Sequence, residues 1–226
     1  MSLGRLAVAV LAAAPGARAG ILIEGEGGDT SYRILTDGPR VRLELVGSRA
    51  TVFDGAAKRS LELDLANETY AERSTEELRR PAQAGEQAGA AAPAPAPPRA
   101  ARFERTRRAE AMGRRCDVYR LVEGEGARTE TCVAAFGSFG VERADLAAFR
   151  PLGALSGELA GVALVRNWAD LPGVPLVAWE LEDGVPRETF RATRLEKRAI
   201  PTSEFTAPPG WKRTAGLAER VKQGMK

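Results

Sequence analysis

Two cysteines, Cys116 and Cys132, and the nearby acids Asp117 and Glu130 are the residues whose types and spacing could do chemistry. The 226-residue chain holds no histidine. That removes the commonest general base near neutral pH and the commonest metal ligand. Serine–histidine and cysteine–histidine nucleophiles are excluded, and two cysteines alone do not make a structural zinc site. No glycine-rich phosphate loop stands between a strand and a helix. No metal and no cofactor is expected. If residues 123–125 form a three-residue hairpin loop, positions whose numbers sum to 248 face each other, and Cys116 and Cys132 do so. A disulfide closing a loop of roughly 15 residues is expected, worth about 3 kcal/mol in the chain-entropy model. The rival is a dithiol that binds a soft metal or exchanges electrons, but there is no C-x-x-C spacing. Asp117 and Glu130 nearly face each other in the same register and could do acid–base work. The plainer reading is solvated strand charges beside Arg115 and Arg128. No catalytic residue is assigned, and the chain is not expected to be an enzyme.

An oxidising compartment is written into the first residues. Arg5 precedes an unbroken apolar run over residues 6–14. Pro15 and Gly16 end it, and Ala17 and Ala19 stand at the small-residue positions before Gly20. This is the pattern of a secretory signal peptide, with cleavage between Ala19 and Gly20. The apolar run is about half of what a bilayer span needs, so no transmembrane segment is expected in the mature chain. Export to the periplasm is expected, and an extracellular destination is the alternative. Removing residues 1–19, which include Arg5 and Arg18, takes 33 basic residues to 31 against 30 acidic ones, a net charge of +1. Such a balance does not drive binding to nucleic acid.

The elements that position these residues read mainly as strands. From residue 20 to 70, apolar and polar residues alternate in short runs. Val41, Leu43 and Leu45 between Arg40, Arg42 and Glu44 predict one buried and one wet face. The short connections require an antiparallel meander. Ser74 and Glu77 form a capping box opening a short helix that Pro81 stops. Residues 81–101 are rich in Ala and Pro and lose periodicity. They read as a flexible loop inside one domain spanning 20–226, because the strands before them leave an apolar face without a partner. Strands resume at 102–108, 116–121 and 129–133, and a final hairpin turns at Asp183-Gly184. Residues 142–168 are predicted helical, with Gly153, Gly157 and Gly161 weakening the helix. Leu146, Phe149, Leu159, Val162 and Trp168 are the residues of a possible lid over an apolar ligand. Ordinary core packing is the alternative for each.

Several segments resemble a known family. They include Tyr32-Arg33-Ile34, residues 41–45, Leu61-Glu62-Leu63-Asp64, residues 113–120 and Pro175-Leu176-Val177. In this order they are similar to the exported bacterial domains of unknown function, family 4412. The tail over residues 201–211 resembles the closing segment of the LolA-type lipoprotein carriers. The Ala/Pro-rich insertion and Cys132 depart from that pattern. The resemblance implies a mostly β (α+β) fold: a curved antiparallel sheet, or unclosed β-barrel, covered by short helices. The expected function is an exported non-catalytic binding or carrier module for an apolar, acyl-chain or lipid-like ligand. The alternative is a structural or interaction protein of the cell envelope with a filled core and a protein partner.

Overall fold

The alternating runs become strands wherever a turn residue can reverse the chain between them. Gly38, Gly47, Gly113 and Gly184 all adopt positive φ at such reversals, where side chains with a Cβ are strained. The structure, a computed structural model, describes residues 18–79, 102–123, 126–154, 162–165 and 167–215. The leader up to residue 17, the Ala/Pro-rich loop at 81–101, Leu159 and the C-terminal residues 218–226 lie outside the described residues.

The first meander is β1 (Arg18–Gly27), β2 (Thr30–Thr36), β3 (Arg40–Leu45), β4 (Arg49–Asp54), β5 (Arg59–Asp64) and β6 (Thr69–Ser74), and it leads into helix α1 (Thr75–Arg79). The second is β7 (Arg102–Ala111), β8 (Arg114–Glu123), β9 (Gly126–Ala134), β10 (Val174–Glu182) and β11 (Val185–Ile200). A short β12 (Lys212–Arg213) follows. All twelve lie in one sheet, ordered β12-β6-β5-β4-β3-β2-β1-β11-β10-β9-β8-β7. The meanders join where β1 pairs antiparallel with β11, Ile23 opposite Leu195. Among the described strands only β12 runs parallel to its neighbour, β6. The sheet is therefore mixed and unclosed.

The capping box forms as its residue types dictate. Ser74 N–H donates to Glu77 Oε2 at 2.8 Å, and Glu77 N–H donates to Ser74 Oγ at 3.2 Å. Within the helix expected over 142–168, the described residues form short pieces instead. They are α2 (Arg143–Leu146), a 3-10 segment over Ala147–Ala154, α3 (Val162–Val165) and a 3-10 turn over Trp168–Asp170. Pro151 stands inside the 3-10 segment; it lacks an N–H and cannot extend an α-helical ladder.

The first meander is packed on both faces. Ile21, Ile23, Ile34, Val41, Leu43 and Phe53 join the larger core with Leu146, Phe149, Leu152 and Trp168 of the helical segment. On the opposite face Leu22, Leu35, Val52, Leu61 and Leu63 pack with Ile200 and Phe205. The face expected to be wet is therefore covered by the tail that follows β11. Arg42, expected as a solvent-facing charge, is buried. It donates to Glu44 Oε2 at 2.6 Å and 2.8 Å and to the Glu204 carbonyl at 3.0 Å. Alternation marks two faces; it does not say whether a distant segment returns to cover the polar one.

Candidate binding cleft

Leu45 at the end of β3 and Phe103 on β7 are seven strand positions apart in the sheet. A flat sheet would hold them about 34 Å apart. Both line one cleft of about 350 Å³, so the sheet curls strongly. Its walls come from Tyr32, Leu121, Ala178 and Trp179 on the strands and from Leu164, Trp168 and Leu171 on the helical segment. Thr129, Thr131, Asn167, Glu180 and Thr189 supply polar groups. Apolar side chains outnumber polar ones in the wall, and Glu180 is the one charged residue lining it, a mixture usual in small-molecule clefts.

An aromatic stack sets the floor. Trp168 lies 5.4 Å from Phe149 and 5.6 Å from Phe190, and Tyr32 lies edge-on to Phe190 at 5.9 Å. Gly25 makes the stack possible: a Cβ there would lie 2.4 Å from the Phe190 ring. Edge-to-face pairs of this kind hold ring orientation beyond simple burial.

The expected lid residues divide. Trp168 lines the cleft while remaining almost wholly buried, at 2 % exposure. Leu146 and Phe149 have no exposed surface and sit in the core beneath it. Val162 belongs to α3, whose Leu164 lines the cleft; Leu159 is outside the described residues. Tyr32, Phe103, Leu121 and Trp179 are not legible as wall residues in the sequence, because each looks like an ordinary strand residue until the sheet curls.

Cys116 and Cys132 are bridged, with Cα atoms 5.6 Å apart. Their register differs from the direct pairing expected. Cys132 faces Val118 and Asp117 faces Val133, so the bridge runs diagonally. The loop has two residues rather than three, since Glu123 pairs with Gly126, and the ladder shifts again between Leu121 and Val122. Val122 pairs with Ala127 and Leu121 with Thr129, which leaves Arg128 as the extra residue of a bulge. Together these displace the pairing by two positions.

The same shift separates the two acids. Glu130 faces Arg120, not Asp117. It is buried, and it accepts from Arg120 Nη2 at 2.8 Å and Arg107 Nη2 at 3.0 Å. Arg107 also lies over the Trp179 ring, 5.1 Å from its centroid. Asp117 instead pairs with Arg105 at 2.5 Å. These are structural ion pairs, each acid facing arginines, so the two carboxyls do not form the paired-acid arrangement.

A second charged cluster fixes the tail. Arg33 Nη2 donates to Glu204 Oε1 at 2.8 Å and Nη1 to Oε2 at 3.2 Å. Arg40 pairs with Asp37 and lies 4.6 Å from the centroid of the Phe205 ring. Burial pushes the Glu204 carboxyl up, but the Arg33 hydrogen bonds and the charges of Arg33, Arg42 and Arg198 outweigh it. The carboxyl is held below its ordinary range. Arg33 is raised, chiefly by the same hydrogen bond.

Among the described residues no cluster of three or more His, Cys, Asp or Glu is placed to hold a metal ion. None of their helices is long and apolar enough to cross a membrane. The expected cleavage point falls inside β1, where Arg18 and Ala19 pair with Ile200 and Ala199. Gly20 has a fold requirement of its own, since a Cβ there would lie 1.8 Å from the Thr36 carbonyl oxygen.

Fold and cleft together define a class: an unclosed, mostly β sheet wrapped about short helices, with a cleft of mixed apolar and polar lining. No protein-family model and no curated protein matches the chain. Among solved structures it is similar to an uncharacterized conserved protein from Thermus thermophilus, at 10% identity and a TM-score of 0.48, covering 87% of this chain and 90% of that one. It is also similar to MucB in its complex with MucA(peri), at 14% identity and a TM-score of 0.33, over 87% of this chain and 56% of MucB. A LolA superfamily protein from Nitrosomonas europaea is similar at 8% identity and a TM-score of 0.31, over 84% and 89% of the two chains. At these values no site residue and no activity passes from them to this chain.

Proposed function

We propose that this chain is an exported, non-catalytic binding or carrier module that takes an apolar, acyl-chain or lipid-like ligand in the cleft. The cleft carries the reading. Its volume of about 350 Å³ falls at the lower end of the roughly 300–1,000 Å³ typical of small-molecule sites. Binding would be driven by removing apolar surface from water, at about 25 cal/mol per Å². The signal-peptide pattern and the disulfide support a periplasmic setting. The resemblance of residues 201–211 to the closing segment of lipoprotein carriers agrees with it.

Trp168 and Trp179 both line the cleft, so they are built-in reporters. Delipidated protein titrated with dodecanoate should show a saturable change in tryptophan emission and a matching calorimetric signal. Substituting Leu164→Asp should weaken uptake at least tenfold. No uptake of dodecanoate or dodecanol, together with no lipid in organic extracts of the exported protein, would refute the carrier reading. The envelope interaction protein would replace it. Sequencing the exported form should read Gly20 first; a mature chain that keeps Met1 would refute export by cleavage.

A further inference from the structure

The two edges of the sheet are finished differently. At one end β6 is capped by the chain's own tail: β12 pairs with it, and Thr214 N–H donates to the Tyr70 carbonyl at 2.7 Å. At the other end lies β7, ten residues long. Its inner edge pairs with β8 from Arg102 opposite Val122 to Ala111 opposite Arg114. Its outer edge pairs with no strand among the described residues. Seven of its residues are exposed: Arg102, Glu104, Arg105, Thr106, Arg107, Arg108 and Glu110. Unpaired N–H and C=O groups along such an edge are a template for another strand.

The side chains select which strand. Residues 102–115 carry six arginines against two glutamates. Asp117 serves both Arg105 and Arg108, and Glu130 serves both Arg107 and Arg120. Each of these carboxylates is thus shared by two guanidinium groups, which leaves positive charge in surplus. Centred between Thr106 and Arg107, a second copy of β7 laid antiparallel on this edge would set Arg105 against Arg108, which is destabilising. The charge and the bulge between Arg105 and Arg107 thus guard the edge against self-pairing. The charge does not guard it against an acidic strand, which can pair on either side of the bulge.

We propose that the outer edge of β7 is a docking site for an extended acidic segment of a partner protein, bound by strand addition. Backbone hydrogen bonds give the attachment, and carboxylates at alternate positions answer the arginines. The site is the backbone edge of β7, whereas the cleft uses Phe103 from a face of the same strand. An anionic membrane also answers positive charge, but it cannot use the backbone edge, and so the strand is the better occupant.

The probe is a fluorescein-labelled nine-residue peptide alternating Glu and Thr, read by anisotropy against the full mature chain at low salt. A second peptide has the same sequence with alternate amides N-methylated, which keeps the charge and deletes the ladder. A third carries Lys for Glu. The first peptide should bind, the methylated one at least tenfold more weakly, and the Lys peptide not at all. The double variant Arg105→Glu/Arg108→Glu should lose at least tenfold for the Glu peptide and gain affinity for the Lys peptide, with circular dichroism confirming its fold. The methylated-peptide comparison uses the unaltered chain and stands even if that variant unfolds. Equal binding of the methylated peptide would overturn the proposal in favour of ionic attraction alone. Stronger binding to phosphatidylglycerol vesicles than to the Glu peptide, or no peptide binding at all, would also overturn it.

Discussion

Replacing Glu204 by Gln removes one charge from the clasp that holds the tail against the sheet, and it keeps the side chain's size. Glu204 accepts two hydrogen bonds from Arg33, at 2.8 and 3.2 Å, and both side chains are about three-quarters buried. Hydrogen bonds to charged groups contribute about 1.5–3 kcal/mol. Glutamine retains one of them, Arg33 keeps Glu44 at 3.7 Å, and partial exposure screens the rest. The expected loss is about 1–2 kcal/mol at pH 7, or roughly 2–8 °C in melting temperature for a chain of this size. The loss has a pH signature. The folded Glu204 carboxyl lies below its ordinary value, so its contribution is complete above the unfolded pKa, about 4.3. It declines as pH falls through the lower, folded pKa. The stability difference between the two proteins should therefore be constant from pH 7 to about 5 and shrink toward zero on further acidification. Urea melts of both proteins across that range measure it. A difference that stays constant down to pH 2.5 would refute the ionic account and leave packing as its cause. No difference at pH 7 would show that Glu204 does not anchor the tail.

Three further outcomes follow from the same structure. Reducing the Cys116–Cys132 bridge, or replacing both residues by Ser, should cost about 3 kcal/mol; two thiols titrated in the unreduced, denatured protein would contradict the bridge. Leu43→Asp should abolish folding, because it places a carboxylate at a core position only 3 % exposed; a cooperative melt within a few degrees of the parent would contradict that packing. Gly20→Ala should lower the melting temperature by several degrees, since its Cβ would meet the Thr36 carbonyl oxygen; an unchanged melt would show that β1 relaxes freely there.

Local signals are legible wherever the chemistry is local. The capping box at Ser74 and Glu77 and the meander of β1–β6 follow from residues within a few positions of each other. The 116–132 pairing is legible as a bridge, but its register is not. A two-residue turn and the bulge at Arg128 move Asp117 away from Glu130, and a single turn residue carries no mark of which loop it will make. Arg42 departs from expectation for a different reason. Its neighbours report that it alternates with apolar residues, whereas its burial depends on Glu204, 162 positions away.

By itself, the sequence determined the strand-rich class, the lack of histidine chemistry and the signal-peptide pattern of residues 1–19. These rest on composition and on contacts between near neighbours. Tertiary structure alone decided that β11 returns beside β1, that the tail covers the polar face, and that Leu45 and Phe103 share one cleft. Each of these is a pairing between distant segments, selected by curl, register and the burial of whole faces. No short window of sequence contains the free-energy difference that chooses it.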